Sequence, residues 1–218
     1  MRKAVLPFLA IAGLIFMTAP IVIARARYES TMGLVQKIFY FHASLGMAMF
    51  LAAFASGIGS GVFLFTRRPW ADHLAVAGAE LTSIIGFLVL VTGPLWARKA
   101  WGVWWVWDPR LTSTLVMWMI FNAYLLLRRY GGPGSERLAA AVALFGMANV
   151  PFVYWSVNVW RTLHPKTSVI PTLVPGMRGA FWFCVVAFLL LTSLLIAMRT
   201  ELEKRRQQLD ELYLAAEE

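Results

Sequence analysis

Long apolar runs, parted by short charged connections, organise this sequence. An α-helix needs about 20 mostly apolar residues to cross a bilayer. Six stretches reach or approach that length: Ala4–Ala24, Ile38–Phe65, Leu74–Ala97, Leu111–Leu127, Arg137–Val159 and Gly179–Met198. The pattern predicts an all-α, polytopic membrane protein, a bundle of six transmembrane helices. Gly57, Gly59 and Gly61, with Ser56 and Ser60, give the second span a small-residue face suited to close helix contact, and a place for a kink. Ala4–Ala24 has a second reading as a signal peptide, with Arg2 and Lys3 before it and Ala24-Arg25-Ala26 as a cleavage site. A signal core is usually about 7–15 residues, and this longer run favours an uncleaved first helix. The polar stretch Thr200–Glu218 reads as a solvated helical extension of the last span, laced by charge pairs at i,i+3 and i,i+4; its alternative is a docking handle for a cytoplasmic partner. The division is a transmembrane domain over 1–199, with a Trp-rich segment at 98–112, and a tail over 200–218.

Composition agrees with the pattern. Of 218 residues 60% are apolar and 14% charged, against about 45–50% and about 25% in soluble domains. The net charge of +9 first suggests nucleic acid. Confined to short loops, however, these charges cannot form a continuous basic face along a phosphate backbone. One cysteine, Cys184, excludes an intrachain disulfide, a C-x-x-C pair and a c-type haem attachment.

Lysine and arginine number eleven on the side holding both termini and nine on the other, which favours cytoplasmic termini. The acids are far less even. Eight lie inside, and only Glu29 and Asp108 outside; nine cations against two acids leave the outer side net +7. An anionic ligand held there would explain that charge. Glu80 stands alone inside the third span. An intramembrane acid is functional by default, yet it serves equally well as a hydrogen-bonding brace.

On the outer side, residues 101–110 read Trp-Gly-Val-Trp-Trp-Val-Trp-Asp-Pro-Arg, with four of the ten tryptophans in seven residues. An aromatic belt spreads single indoles over many helix ends, as Trp70, Trp96 and Trp182 suggest. If helical, Trp101, Trp104, Trp105 and Trp107 cover about a half-turn arc, a flat shelf for a large planar apolar molecule. Asp108-Pro109 suits the N-cap and first turn of the fourth span, or Asp108 touches a ligand. Arg110 either snorkels or pairs with an anion.

Span parity sorts the three histidines. His42 and His164 share the outer side with the tryptophans, whereas His73 reads as an ordinary loop histidine on the inner side. Two imidazoles, an aromatic platform and the cations Arg98, Lys99, Arg110, Arg161 and Lys166 meet what a haem requires: axial nitrogens, apolar contact and partners for its propionates.

These residues resemble a family. WGVWWVWDPRLT at 101–112 is similar to the "WWD" signature of haem-handling membrane proteins in cytochrome c maturation, and the six spans and flanking histidines resemble its CcmC-type members. The similarity runs from about Gln36 to Met198. It implies a periplasmic haem site (haem b, held transiently) with His42 and His164 as axial ligands to the iron. Trp101, Trp104, Trp105, Trp107, Asp108, Arg110, Trp160 and Arg161 stand around it. It also implies a place in the inner membrane, handover to the haem chaperone CcmE, and assembly with the ABC transporter subunits CcmA and CcmB and the small subunit CcmD. ATP chemistry belongs to those partners, since no G-x-x-x-x-G-K-[ST] segment occurs.

Two rivals remain. A b-type electron-transfer subunit usually places histidine pairs at both leaflets, and this chain has one same-side pair. A solute transporter predicts polar residues along a central path. Apart from Glu80, Asn122 and Asn149, the spans are too apolar for such a path.

Overall fold

A computed structural model of the chain describes residues 2–28 and 32–217; Glu29 and Glu218 lie outside them. The helices run in the order α1 (Arg2–Arg25), a 3-10 turn (Leu34–Lys37), α2 (Ile38–Thr66), α3 (Pro69–Trp101), α4 (Pro109–Tyr130), α5 (Ser135–Val159), the single turn α6 (Val169–Thr172) and α7 (Pro175–Glu217). Six of them are long and apolar enough to cross a membrane, as the runs predicted. Among the described residues there is no strand.

Local chemistry sets the boundaries. Arg67 closes α2 in the left-handed conformation, and Pro69 opens α3 at its first turn, where a missing N–H costs nothing. Gly102 at φ +75° ends α3, a conformation in which a side chain would be strained. Asp108 then caps α4, its Oδ1 accepting from the Leu111 N–H at 2.8 Å, with Pro109 at the first position. The early start of α3 at Pro69 puts His73 inside the helix, where it is buried and its Nε2 lies 2.6 Å from Oε1 of Gln207 on α7. The loop expectation for His73 is thereby corrected.

α2 is an uninterrupted helix at the centre of the bundle, packed on α3, α5 and α7, while α1 lies on α7. Its small residues serve contact. A Cβ on Gly78 of α3 would stand 2.5 Å from the Ser56 nitrogen, and one on Gly59 would stand 2.7 Å from the Ala71 carbonyl. The Ser56 hydroxyl donates to the Ala75 carbonyl at 2.8 Å across the same seam. Asn122 and Asn149 also brace helices: Asn122 accepts from Ser83 at 2.8 Å, and Asn149 donates to the Ser113 carbonyl at 3.0 Å.

The two ends of the bundle differ in chemistry. At the end from which the tail leaves, Arg128 pairs with Asp72 at 2.6 Å, and Arg199 grips Glu80 through two bonds of 2.5 and 2.8 Å. Glu80 is thus a partnered acid joining α3 to α7. The tail is the direct continuation of α7 through Glu217. The opposite end carries His42, the tryptophan segment and His164.

Candidate functional site

At that opposite end α2, α3, α4, α5 and the segment after α5 surround a cleft with a cavity volume of about 170 Å³, partly open to solvent. His42, His164, Trp101, Trp105 and Arg110 all line it.

His42 projects from the first turns of α2. Its Nδ1 lies 3.0 Å from Oγ1 of Thr92 on α3. The Thr92 hydroxyl gives its own proton to the Leu88 carbonyl at 2.7 Å, so toward His42 it can only accept. Nδ1 of His42 therefore carries the proton. His164 follows α5 in irregular chain, with its Nδ1 3.0 Å from the Pro165 carbonyl. A carbonyl only accepts, and Nδ1 of His164 is protonated too. In both rings the lone pair is left on Nε2, which has no hydrogen-bond partner among the described residues. Burial, and next the charge of Arg110, lowers the pKa of His164 to about 4, keeping its ring neutral at pH 7. The ring centroids of His42 and His164 are 6.4 Å apart, with planes inclined by 47°.

A chain of bonds fixes the second histidine. The Thr162 hydroxyl donates to Oδ2 of Asp108 and accepts from the His164 N–H at 3.0 Å. Asp108 is thus both a helix cap and the anchor of the loop that presents His164. Arg110 donates from Nη1 to the Val153 carbonyl at 2.5 Å, tying α4 to α5 beside the cleft.

The tryptophans depart from the flat arc. Residues 102–108 are not helical, because Gly102 has ended α3 and α4 has not begun. Trp101 stands at the end of α3, edge-on to Trp96 at 5.3 Å and 81°, with its centroid 6.4 Å from that of His164. Trp105 meets Trp107 at 77°, so neighbouring indoles stand nearly perpendicular. Trp101 and Trp105 face the cleft, whereas Trp104 and Trp107 are exposed. Trp160 leans on Phe152 with centroids 5.2 Å apart, and it and exposed Arg161 are outside the cleft lining.

The structure adds residues that sequence reasoning passed over. Thr92 and Gly93 abut the His42 ring, and Thr162 carries the link to Asp108. Trp96, expected at headgroup level, is instead buried against the cleft. Its Nε1, like that of Trp105, is buried without a partner. Buried donors are seldom left unpaired, and an ordered water or a ligand is what usually completes them. For Thr92 and Gly93 the sequence offers only the triplet Thr92-Gly93-Pro94 in an apolar run, which does not by itself point to a histidine.

Comparison with known proteins agrees over nearly the whole length. The family described as "Heme exporter protein C" (CcmC) matches residues 1–213. Heme exporter protein C of Escherichia coli (strain K12) is 31% identical over 225 residues, covering 96% of this chain and 89% of that protein. Its counterpart in Bradyrhizobium diazoefficiens is 34% identical over 212 residues, covering 93% and 80% respectively. A putative cytochrome c biosynthesis ccmC-like mitochondrial protein of Marchantia polymorpha is 29% identical over 181 residues, covering 78% of each chain. With its helical bundle, its signature segment and these matches, the chain belongs to the CcmC, or heme exporter protein C, family.

Proposed function

We propose that this protein holds haem as cargo between His42 and His164 on the periplasmic side of the inner membrane. It then surrenders the haem to the chaperone CcmE during cytochrome c maturation. The observation that carries the reading is the pair of imidazoles, each with its Nε2 unpartnered among the described residues, that line one aromatic cleft. Bonds of about 2 Å from one metal to two opposed imidazole nitrogens place the ring centres about 6.3 Å apart. The observed separation is 6.4 Å.

The donor set favours a metal inside a macrocycle over a bare ion. Among the described residues no group of three or more His, Cys, Asp or Glu side chains could hold a metal. Two protein ligands suffice when a porphyrin supplies the other four. The cleft is largely apolar, as a porphyrin face requires, and Arg110, Lys166 and the unpaired indole N–H groups of Trp96 and Trp105 offer partners to carboxylates. Each of these residues has a separate task. The histidines bind the iron, Trp101 walls the ring, Arg110 and Lys166 take the anionic edge, and Asp108 steadies His164 through Thr162. Exposed Trp104 and Trp107 then lie at the rim where a chaperone would meet the cargo. Trp160 and Arg161, beside the same mouth, extend that rim. With both termini cytoplasmic, the ion-paired end and tail of α7 face the transporter subunits CcmA and CcmB, while CcmD joins within the membrane.

The test is the visible absorption spectrum of the purified chain from haem-replete cells, beside His42→Ala and His164→Ala. The expected result is a six-coordinate haem spectrum in the wild type, weakened or shifted in both variants. Haem retained with an unchanged spectrum in both would remove the axial assignment.

A further inference from the structure

The Nδ1 of His164 finds its acceptor in its own segment, at the Pro165 carbonyl, whereas the Nδ1 of His42 depends on a neighbouring helix. Thr92 supplies the acceptor for Nδ1 of His42 at 3.0 Å while its own proton is committed to Leu88. A threonine in an apolar helix often satisfies itself by bonding back to the i−4 carbonyl, and that bond alone would explain its presence. It does not explain why the oxygen's free lone pairs meet an imidazole arriving from α2. Gly93, the next residue, adds a second constraint. A Cβ there would stand 3.1 Å from Cε1 of His42, tighter than ordinary contact. At Pro94 the missing N–H leaves the Leu90 carbonyl without its helical donor and loosens α3 beside the ring.

We infer that Thr92 and Gly93 form the seat of His42: the Thr92 hydroxyl selects the tautomer with Nε2 free, and the bare Gly93 sets how deep the ring lies. This rests on the axial role proposed for His42. Thr92 is a positioning residue, for it acts on the metal only through the imidazole. Ligating histidines generally donate their second ring N–H to such an acceptor, which fixes orientation and raises ligand basicity.

The experiment uses the full chain with bound haem and compares Thr92→Val, Thr92→Ser, Gly93→Ala and His42→Ala. Loss of an outer partner typically costs about 10–100-fold in metal affinity. Thr92→Val is expected to weaken haem binding by about tenfold, to add a five-coordinate component to the spectrum, and to raise the reduction potential because the ligand donates less. Thr92→Ser restores all three. Gly93→Ala shows the five-coordinate component with Thr92 intact. A Thr92→Val protein with wild-type affinity, spectrum and potential overturns the inference, provided His42→Ala still loses the six-coordinate spectrum. So does one that merely yields less protein with unchanged haem properties. If His42→Ala itself leaves the spectrum unchanged, the axial reading fails first and the inference falls with it.

Discussion

The hydroxyl of Thr162 donates to Oδ2 of Asp108, joining the start of α4 to the loop that carries His164. Because Oδ1 of the same carboxylate caps α4, two substitutions separate the roles. Asp108→Asn keeps a capping oxygen but turns an amide toward Thr162, whose proton then has no acceptor. It should cost about 1 kcal/mol for the lost bond, keep the cap, and alter the haem spectrum in the manner of Thr162→Val. Asp108→Ala loses the cap as well, at about 1 kcal/mol. Melting curves read beside visible spectra check both, and an Asn variant with a wild-type spectrum would confine Asp108 to capping.

The tryptophans divide by where they point. Trp105 lines the cleft with an unpaired N–H, and Trp107 is 76% exposed. Trp105→Phe removes one donor and keeps an aromatic ring. A hydrogen bond is worth about 1 kcal/mol, so haem affinity should fall about fivefold. Trp107→Phe should leave the affinity unchanged and slow transfer to the chaperone. Haem titration and a two-protein transfer assay distinguish the two outcomes.

How much of this was legible in the sequence depends on the kind of signal. The spans were, because hydrocarbon enforces length and apolarity on every crossing segment. The pairing of His42 with His164 at one end followed from span parity alone. The arc of tryptophans did not survive, since its geometry assumed a helix that Gly102 stops at φ +75°. Pro69 started α3 early enough to bury His73, and apolar flanks could not reveal that. Thr92 and Gly93 were hidden for a different reason. Along α3 they look like a back-bonded threonine and a packing glycine, and only the approach of α2 gives them a ring to hold.

The glycine seam between α2 and α3 admits a direct comparison. A methyl on Gly78 meets backbone, 2.5 Å from the Ser56 nitrogen and 2.8 Å from the Ala52 carbonyl, and neither can swing aside. Overpacking of this kind costs about 1–3 kcal/mol. Gly78→Ala should therefore lower the melting temperature in detergent by several degrees. Gly13→Ala, with nothing within 4 Å, should not. Equal melting temperatures would mean that the helices part without cost.

Glu80 and Arg199 meet through two bonds at the end of the bundle remote from the histidines. Both side chains are partly exposed, at 32% and 24%, and Arg199 also pairs with Glu203 at 2.7 Å. Exposed pairs are worth at most about 1 kcal/mol, while breaking a buried one costs about 3–5. A double-mutant cycle of Glu80→Gln and Arg199→Gln should thus give a coupling of about 1–3 kcal/mol, between those limits. Because the pair joins α3 to α7 without approaching the cleft, neither variant should change the haem spectrum or the haem content per folded protein. A Glu80→Gln protein with wild-type stability and lost haem transfer would instead place this acid in the working cycle. That outcome would make the pair a coupling element between the two ends of the bundle, and Arg199→Gln would then have to reproduce the defect.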